Sequence, residues 1–292
     1  KTEFQTTCNP QGRAISGGQG DCYSPSNYDD VYKGPVTLRQ ALGESRNIPA
    51  VKLLYLTTIN DALKTAKNMG IKTLSDANQY GLTLVLGGGE VTLLDMTSAY
   101  SVFATEGVRH EPVSILRVED SNGNVLEEHK ASGGQVVIEA NSARIISDML
   151  KDNEARTPLF GANSFLNFGS TDVAGKTGTT NNNKDAWMMG YTPNIVVGVW
   201  SGNNDNTPMK KGSAISGRLW REFMDFALTK VGRDSFTPPI INESLELKPI
   251  LRGNWLGGES VLIDSISERL STEFTPEETL EEMTVTDVHN EL

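Results

Sequence analysis

Residues 172–187 read DVAGKTGTTNNNKDAW, and the triplet Gly175-Lys176-Thr177 inside them admits two readings. Glycine, lysine and a hydroxyl residue in that order close a phosphate-binding loop, G-x-x-x-x-G-K-[ST], set between a strand and a helix. The first glycine of that pattern would be residue 170, which is Ser170. A helix should follow the lysine and point its N-terminal amides at phosphate, but TGTTNNNKDAW carries no apolar helical face. The nucleotide reading fails on both counts. The alternative is a strand edge, with Lys176 and Gly178 on one face of the pleat and Thr177 on the other. Gly178 admits close approach of a ligand or backbone, and Thr179 and Thr180 add hydroxyls and amides just beyond. A lysine charge, hydroxyls and backbone donors along one open edge suit a carboxylate, and an extended peptide could add itself there as a further strand.

The neighbouring sequence extends this strand into a sheet. AWMMGYTP and IVVGVWSGN are two more candidate strands, joined tightly through Pro193-Asn194. SAISGRLWREFMDFALTK follows as a helix, with Ile215, Leu219, Phe223 and Phe226 at helical spacing as its packing face. Upstream the texture is helical. Thr37 can cap a helix carrying Leu38, Ala41 and Leu42, and Pro49 sits in the first turn of another with Val51, Leu53 and Leu54. A third helix after Asn60 carries Leu63, Ala66 and Met69 and stops at Gly70. Thr92 with Asp95 resembles a capping box before Met96, Ala99, Tyr100 and Phe103. VSILRVED and GNVLEEH read as a hairpin about Ser121-Asn122-Gly123. A helix from about Asn141 to Lys151 places Ile145, Ile146, Met149 and Leu150 on one side. Helices first, then antiparallel strands, then a packing helix indicate an α+β fold.

Composition narrows the function classes. Of 292 residues, 37% are hydrophobic and 22% charged, enough for a real core. No apolar run approaches the ~18 residues of a membrane span. The net charge of −11 is concentrated in residues 231–292, which hold 13 acidic and 4 basic residues. No basic stripe suited to nucleic acid appears. The acidic end reads as a solvated surface. Cys8 and Cys22 match no compact zinc pattern, and a disulfide and two thiols both fit them. His110, His129 and His289 are scattered surface residues, and no metal or cofactor is expected. Domain boundaries are expected at 1–230 for the folded body and 231–292 for an acidic linker and extension.

Lys-Thr-Gly on a strand resembles one signature of the penicillin-recognising serine transferases and hydrolases. A second signature of that family, Ser-x-Asn, is present as Ser45-Arg46-Asn47, upstream and on a turn between two helices. YSPSNYDDVYKGPVTLRQALGESRNIPAVKLL, LGGGEVTLLDMTSAYSVFATEG and GKTGTTNNNKDAWMMGYTPNIVVGVWSGN closely resemble segments of the transpeptidase domain of class A, bifunctional penicillin-binding proteins. The resemblance runs from about Tyr23 to Lys230, and VLIDSISERLSTEFTP is similar to the class A C-terminal extension.

The resemblance implies a penicillin-recognising serine transpeptidase (β-lactamase-like) fold, an antiparallel sheet flanked by helices. It implies a D,D-transpeptidase that cross-links peptidoglycan stem peptides through a serine ester and binds β-lactams. Ser45 would relay a proton to the leaving nitrogen, and Asn47 would hydrogen-bond the lysine of the family's Ser-x-x-Lys signature and the substrate amide. Lys176 would place charge beside Ser45 and the substrate carboxylate. Thr177 and Thr179 would bind that carboxylate along the Gly178 strand, and the Thr179 amide would serve as an oxyanion donor. The third family signature, Ser-x-x-Lys, is missing, because no serine here has a lysine three positions later. Residue 1 is Lys, and the expectation is a piece of a longer chain. Its preceding part would hold the nucleophile helix, two sheet strands, a glycosyltransferase domain and an anchor on the extracytoplasmic face of the cytoplasmic membrane. This chain alone is then expected to be inactive. The competing expectations are a nucleophile-less relative that holds peptidoglycan or a partner, and a serine β-lactamase. The class A flanks weigh against the latter, and no glutamate can be assigned to activating a deacylating water.

Overall fold

The computed structural model describes residues 25–131, 133–210, 214–241, 259–264, 269–270, 275–276 and 279–285. Cys8, Cys22 and His289 lie outside them. The chain divides into two compact units, Lys1–Ile240 and Ile241–Leu292.

The first unit opens with three helices, α1 (Leu38–Gly43), α2 (Asn47–Thr57) and α3 (Ile59–Asn68). Thr37 starts α1 with a full capping box: its side chain accepts from the Gln40 amide, and the Gln40 side chain answers the Thr37 amide. Thr58 caps α3 through the Asp61 amide. The segment Leu82–Leu86 is a 3-10 turn ended by left-handed Gly87. Helix α4 (Leu93–Ala104) begins at Thr92, whose hydroxyl accepts from the Asp95 amide at 3.0 Å. Four short strands follow, β1 (Val108–Arg109), β2 (Arg117–Glu119), β3 (Val125–Glu128) and β4 (Gln135–Val136). β2 and β3 form the hairpin expected at Asn122-Gly123, and β1 pairs with β4. Helices α5 (Ala140–Lys151) and α6 (Asn153–Phe160) lead to the main sheet.

That sheet has three antiparallel strands, β5 (Ala174–Thr179), β6 (Asp185–Tyr191) and β7 (Val196–Gly202), in that spatial order. Helix α7 (Ala214–Val231) closes the unit. The pleat sorts the layers, because paired residues share a face. Lys176, Met189 and Gly198 form one cross-strand row. A Cβ on Gly198 would meet Thr97 and Leu93, so this face looks onto α4. Thr177, Met188 and Val199 form a row on the other face, where Met188 packs with Trp220 and Met224 of α7. Trp220 lies so close over Gly190 that a Cβ there would collide with its ring. Its indole nitrogen donates to the Val197 carbonyl at 3.1 Å.

This arrangement corrects the expected packing face of the last helix. Ser216, Gly217, Trp220, Met224, Ala227 and Leu228 are buried on α7. Ile215, Leu219, Phe223 and Phe226 are 46%, 55%, 52% and 60% exposed. The helix carries two apolar stripes, and the smooth patch made by Gly190 selects the one with the tryptophan. Leu53 and Ile145 are likewise exposed, while Val51, Leu54, Ala143 and Leu150 turn inward on their helices. The second unit contributes β8 (Glu259–Asp264), β9 (Arg269–Leu270) and β10 (Leu280–Val285), an antiparallel sheet with β8 in the middle. No helix among the described residues is long and apolar enough to cross a membrane.

Candidate active site

Ser45 occupies an unusual backbone position. Helix α1 ends in a Schellman motif: the Arg46 amide donates to the Ala41 carbonyl at 2.9 Å and the Ser45 amide to the Leu42 carbonyl at 3.1 Å. The residue after the cap of such a motif is left-handed and usually glycine. Here it is Ser45, with φ +52°. A side chain in that region costs about 1–2 kcal/mol, so this turn holds a hydroxyl where the backbone prefers none.

The hydroxyl meets Lys176. The lysine side chain leaves β5 on the α4 face, and its Nζ donates to Ser45 Oγ at 2.8 Å and to the Thr177 carbonyl at 3.0 Å. Burial disfavours the charged form and pushes the ammonium from 10.5 down to about 8. The pair therefore combines a cation close to neutrality with a hydroxyl that can accept and pass a proton. The cation also offers attraction for an anionic group at the same spot.

Asn47 is the first residue of α2, two positions beyond Ser45, and its Nδ2 donates to the Ser26 carbonyl at 2.9 Å. Thr177, Gly178 and Thr179 complete β5, whose outer edge has no strand partner among the described residues. Thr177 and Thr179 stand on the face opposite Lys176, and Thr179 is exposed. Gly178 shares the Lys176 face and sits against Trp187, which pairs across the sheet with Trp200. Just past the strand, the Thr180 hydroxyl and the Asp185 carboxylate clasp the hairpin, with Thr180 Oγ1 donating to Asp185 Oδ2 at 3.0 Å and accepting from the Asp185 amide at 2.8 Å. Trp200 Nε1 donates to the other Asp185 oxygen at 3.0 Å.

The structure thus joins Ser45 to Lys176, sets Asn47 beside the same turn and lines Thr177 to Thr179 along the edge that leads away. Sequence reasoning did not single out Arg46, the middle residue of Ser-x-Asn. Its guanidinium, 7% exposed, bridges Asp29 and Glu44. Burial works against charge there, but the two carboxylates outweigh it and hold Arg46 above its usual range. The signal was the charge alternation of DDVYK and GESRN, whose pairing only the fold reveals.

The family model described as penicillin binding protein transpeptidase domain matches residues 2–225. Penicillin-binding protein 1A of Aquifex aeolicus is 34% identical over 234 residues, 79% of this chain and 31% of the relative. Penicillin-binding protein 2D of Bacillus subtilis is 35% identical over 229 residues, 76% of this chain and 32% of the relative. The chain spans about a third of the length of these relatives. Among solved structures, PonA1 of Mycobacterium tuberculosis in complex with penicillin V aligns with a TM-score of 0.63 and 27% identity. That alignment covers 76% of this chain and 64% of PonA1.

Proposed function

Since this chain belongs to the penicillin binding protein transpeptidase family, we propose that it supplies the Ser-x-Asn and Lys-Thr-Gly wall of the active site of a peptidoglycan D,D-transpeptidase. The contact that carries the reading is Lys176 Nζ to Ser45 Oγ at 2.8 Å, which joins the two family signatures across 131 residues.

The reaction is acyl transfer through a serine ester. A serine outside these 292 residues attacks the penultimate D-Ala carbonyl of a stem peptide and releases the terminal D-Ala. The amine of a second stem peptide then takes the acyl group. Ser45 relays the proton to the leaving nitrogen, and Lys176, lowered by burial but still charged at neutral pH, holds the Ser45 hydroxyl through its ammonium. Asn47, with Nδ2 committed to Ser26, offers its side-chain oxygen as an acceptor. The Lys176 charge draws the substrate carboxylate to the edge of β5. Thr177 and Thr179 add hydroxyls by leaning around that open edge. The Thr179 amide serves as one oxyanion donor, a contribution of ~3 kcal/mol in such sites. β-Lactams enter as substrate mimics, a property carried over from the penicillin V complex of PonA1.

Two further features support a contribution from additional chain. The outer edge of β7 has no strand partner among the described residues. The stripe Ile215, Leu219, Phe223 and Phe226 is exposed, and Phe223 borders an open apolar groove of about 520 Å³ with Leu93, Leu94 and Val197. Upstream residues carrying the nucleophile, the glycosyltransferase domain and the membrane anchor complete the proposed enzyme. It works on the extracytoplasmic face of the cytoplasmic membrane. Residues 1–230 carry its transpeptidase body, the next ten complete the same compact unit, and the acidic extension follows.

Intact mass after incubation with penicillin tests the proposal. The 292-residue chain should stay unmodified, and the full gene product should gain one penicillin. A stoichiometric adduct on the chain alone contradicts the proposed origin of the nucleophile.

A further inference from the structure

Ser45 is flanked by two residues that are ion-paired to each other across it. Arg46 Nη2 and Nε donate to Glu44 Oε2 at 2.7 and 2.9 Å. Arg46 Nη1 reaches both oxygens of Asp29, at 2.8 and 2.9 Å. Lys33 Nζ donates to the same Glu44 oxygen at 2.8 Å. The Tyr28 ring lies 5.5 Å from the guanidinium. The loop is also tied down by neutral groups: Asn27 accepts from the Ile48 amide at 3.3 Å and donates to the Val31 carbonyl at 2.9 Å.

Burying such charges is costly, and a paired set replaced by apolar residues is often no less stable. Glu44 and Arg46 are the buried members, with Asp29 and Lys33 exposed around them, so stability alone does not account for the pair. Ser45 supplies a role, because the residue held between the two charges is the one in the left-handed conformation. A Glu44–Arg46 bridge spans the peptide planes on both sides of Ser45 and restricts their rotation. Asp29, Val31 and Lys33 fasten that bridge to a second segment of chain.

We propose that Arg46 is a positioning residue, whose bridge to Glu44, braced by Asp29, holds Ser45 in the conformation that presents its hydroxyl to Lys176. The inference rests on the reading of Ser45 as proton relay. Lysine cannot take its place, because one ammonium lacks the planar fork that serves Glu44 and Asp29 together.

The test uses the full gene product and a fluorescent penicillin, with the acylation rate constant and the non-covalent binding constant measured separately. Arg46→Met and Asp29→Asn are each made in the parent and in the Ser45→Ala background. Arg46→Met should slow acylation about 10- to 100-fold, the range expected when a reacting group is displaced by about an ångström. Asp29→Asn should slow it less, and binding should change little for both. In the Ser45→Ala background neither change should slow acylation further, since groups that act as one unit are not additive. Equal losses in both backgrounds, or no loss in the parent, overturn the inference. If Arg46→Met does not fold, Asp29→Asn decides by the same criterion. Unchanged acylation in Ser45→Ala alone overturns the relay assignment and the inference with it. Loss in Ser45→Ala without loss in the Arg46 and Asp29 variants overturns the inference alone.

Discussion

Lys176 Nζ and Ser45 Oγ are 2.8 Å apart although 131 residues separate them in the chain. Each pays a local cost to be there: the lysine is desolvated and the serine is left-handed. Local rules broken at two touching residues mark a functional site more clearly than either residue alone.

The lysine makes stability depend on pH in a defined direction. Its folded value of about 8 lies below the ordinary 10.5. Between these values the unfolded chain holds a proton that the folded chain has released, so stability rises with pH across that window. Below about pH 8 both states are protonated and the cost of burying the charge is fully present. Lys176→Met should therefore gain stability over the parent below pH 8, and that advantage should shrink as the pH approaches 10. Urea unfolding across this range checks it, and a difference independent of pH contradicts the burial of the charge.

Ser45→Gly should be more stable than Ser45→Ala while disabling the site as fully. Both lose the hydroxyl that accepts from Lys176, and only glycine adopts the left-handed turn without the side-chain penalty. An advantage of about 0.5–1 kcal/mol over Ser45→Ala is expected after the added freedom of the unfolded chain is set against it. The thermal midpoint should lie about 1–4 °C above that of Ser45→Ala, while penicillin acylation of the full gene product falls in both. A glycine variant no more stable than the alanine variant would contradict the reading of the turn.

The two stripes of α7 should respond oppositely to truncation. Trp220 is fully buried, and Trp220→Ala should cost about 3–5 kcal/mol. Phe226 is 60% exposed in this chain, and Phe226→Ser should stay within about 0.5 kcal/mol. Denaturant midpoints of the two variants measure this, and similar losses would reverse the assignment of the faces.

The local elements were legible in sequence: the alternation around Lys176, the Asn122-Gly123 turn and the cap at Thr92 each act within a few residues. Ser45 was set beside Lys176 only through the family resemblance, because 131 residues separate them. The α7 face was not legible, since Ile215, Leu219, Phe223 and Phe226 repeat as regularly as Trp220, Met224 and Leu228. The choice lies in Gly190, on another element. Helix α6 carries little periodic signal because Asn153–Phe160 is short, polar and interrupted by Pro158. The bracing of Ser45 was hidden for the same reason as the α7 face: Asp29 and Arg46 are 17 residues apart and meet only in the fold.

The central claim is that Lys176 and Ser45 form the receiving wall of an acyl-transfer site. Fluorescent penicillin labelling of the full gene product, compared between parent and Lys176→Ala at equal folded concentration, tests it most directly. The account predicts rapid labelling of the parent and a loss of at least about 100-fold in the acylation rate of the variant, the scale of removing one preorganised donor from a transition state. Labelling of Lys176→Ala at the parental rate would contradict it.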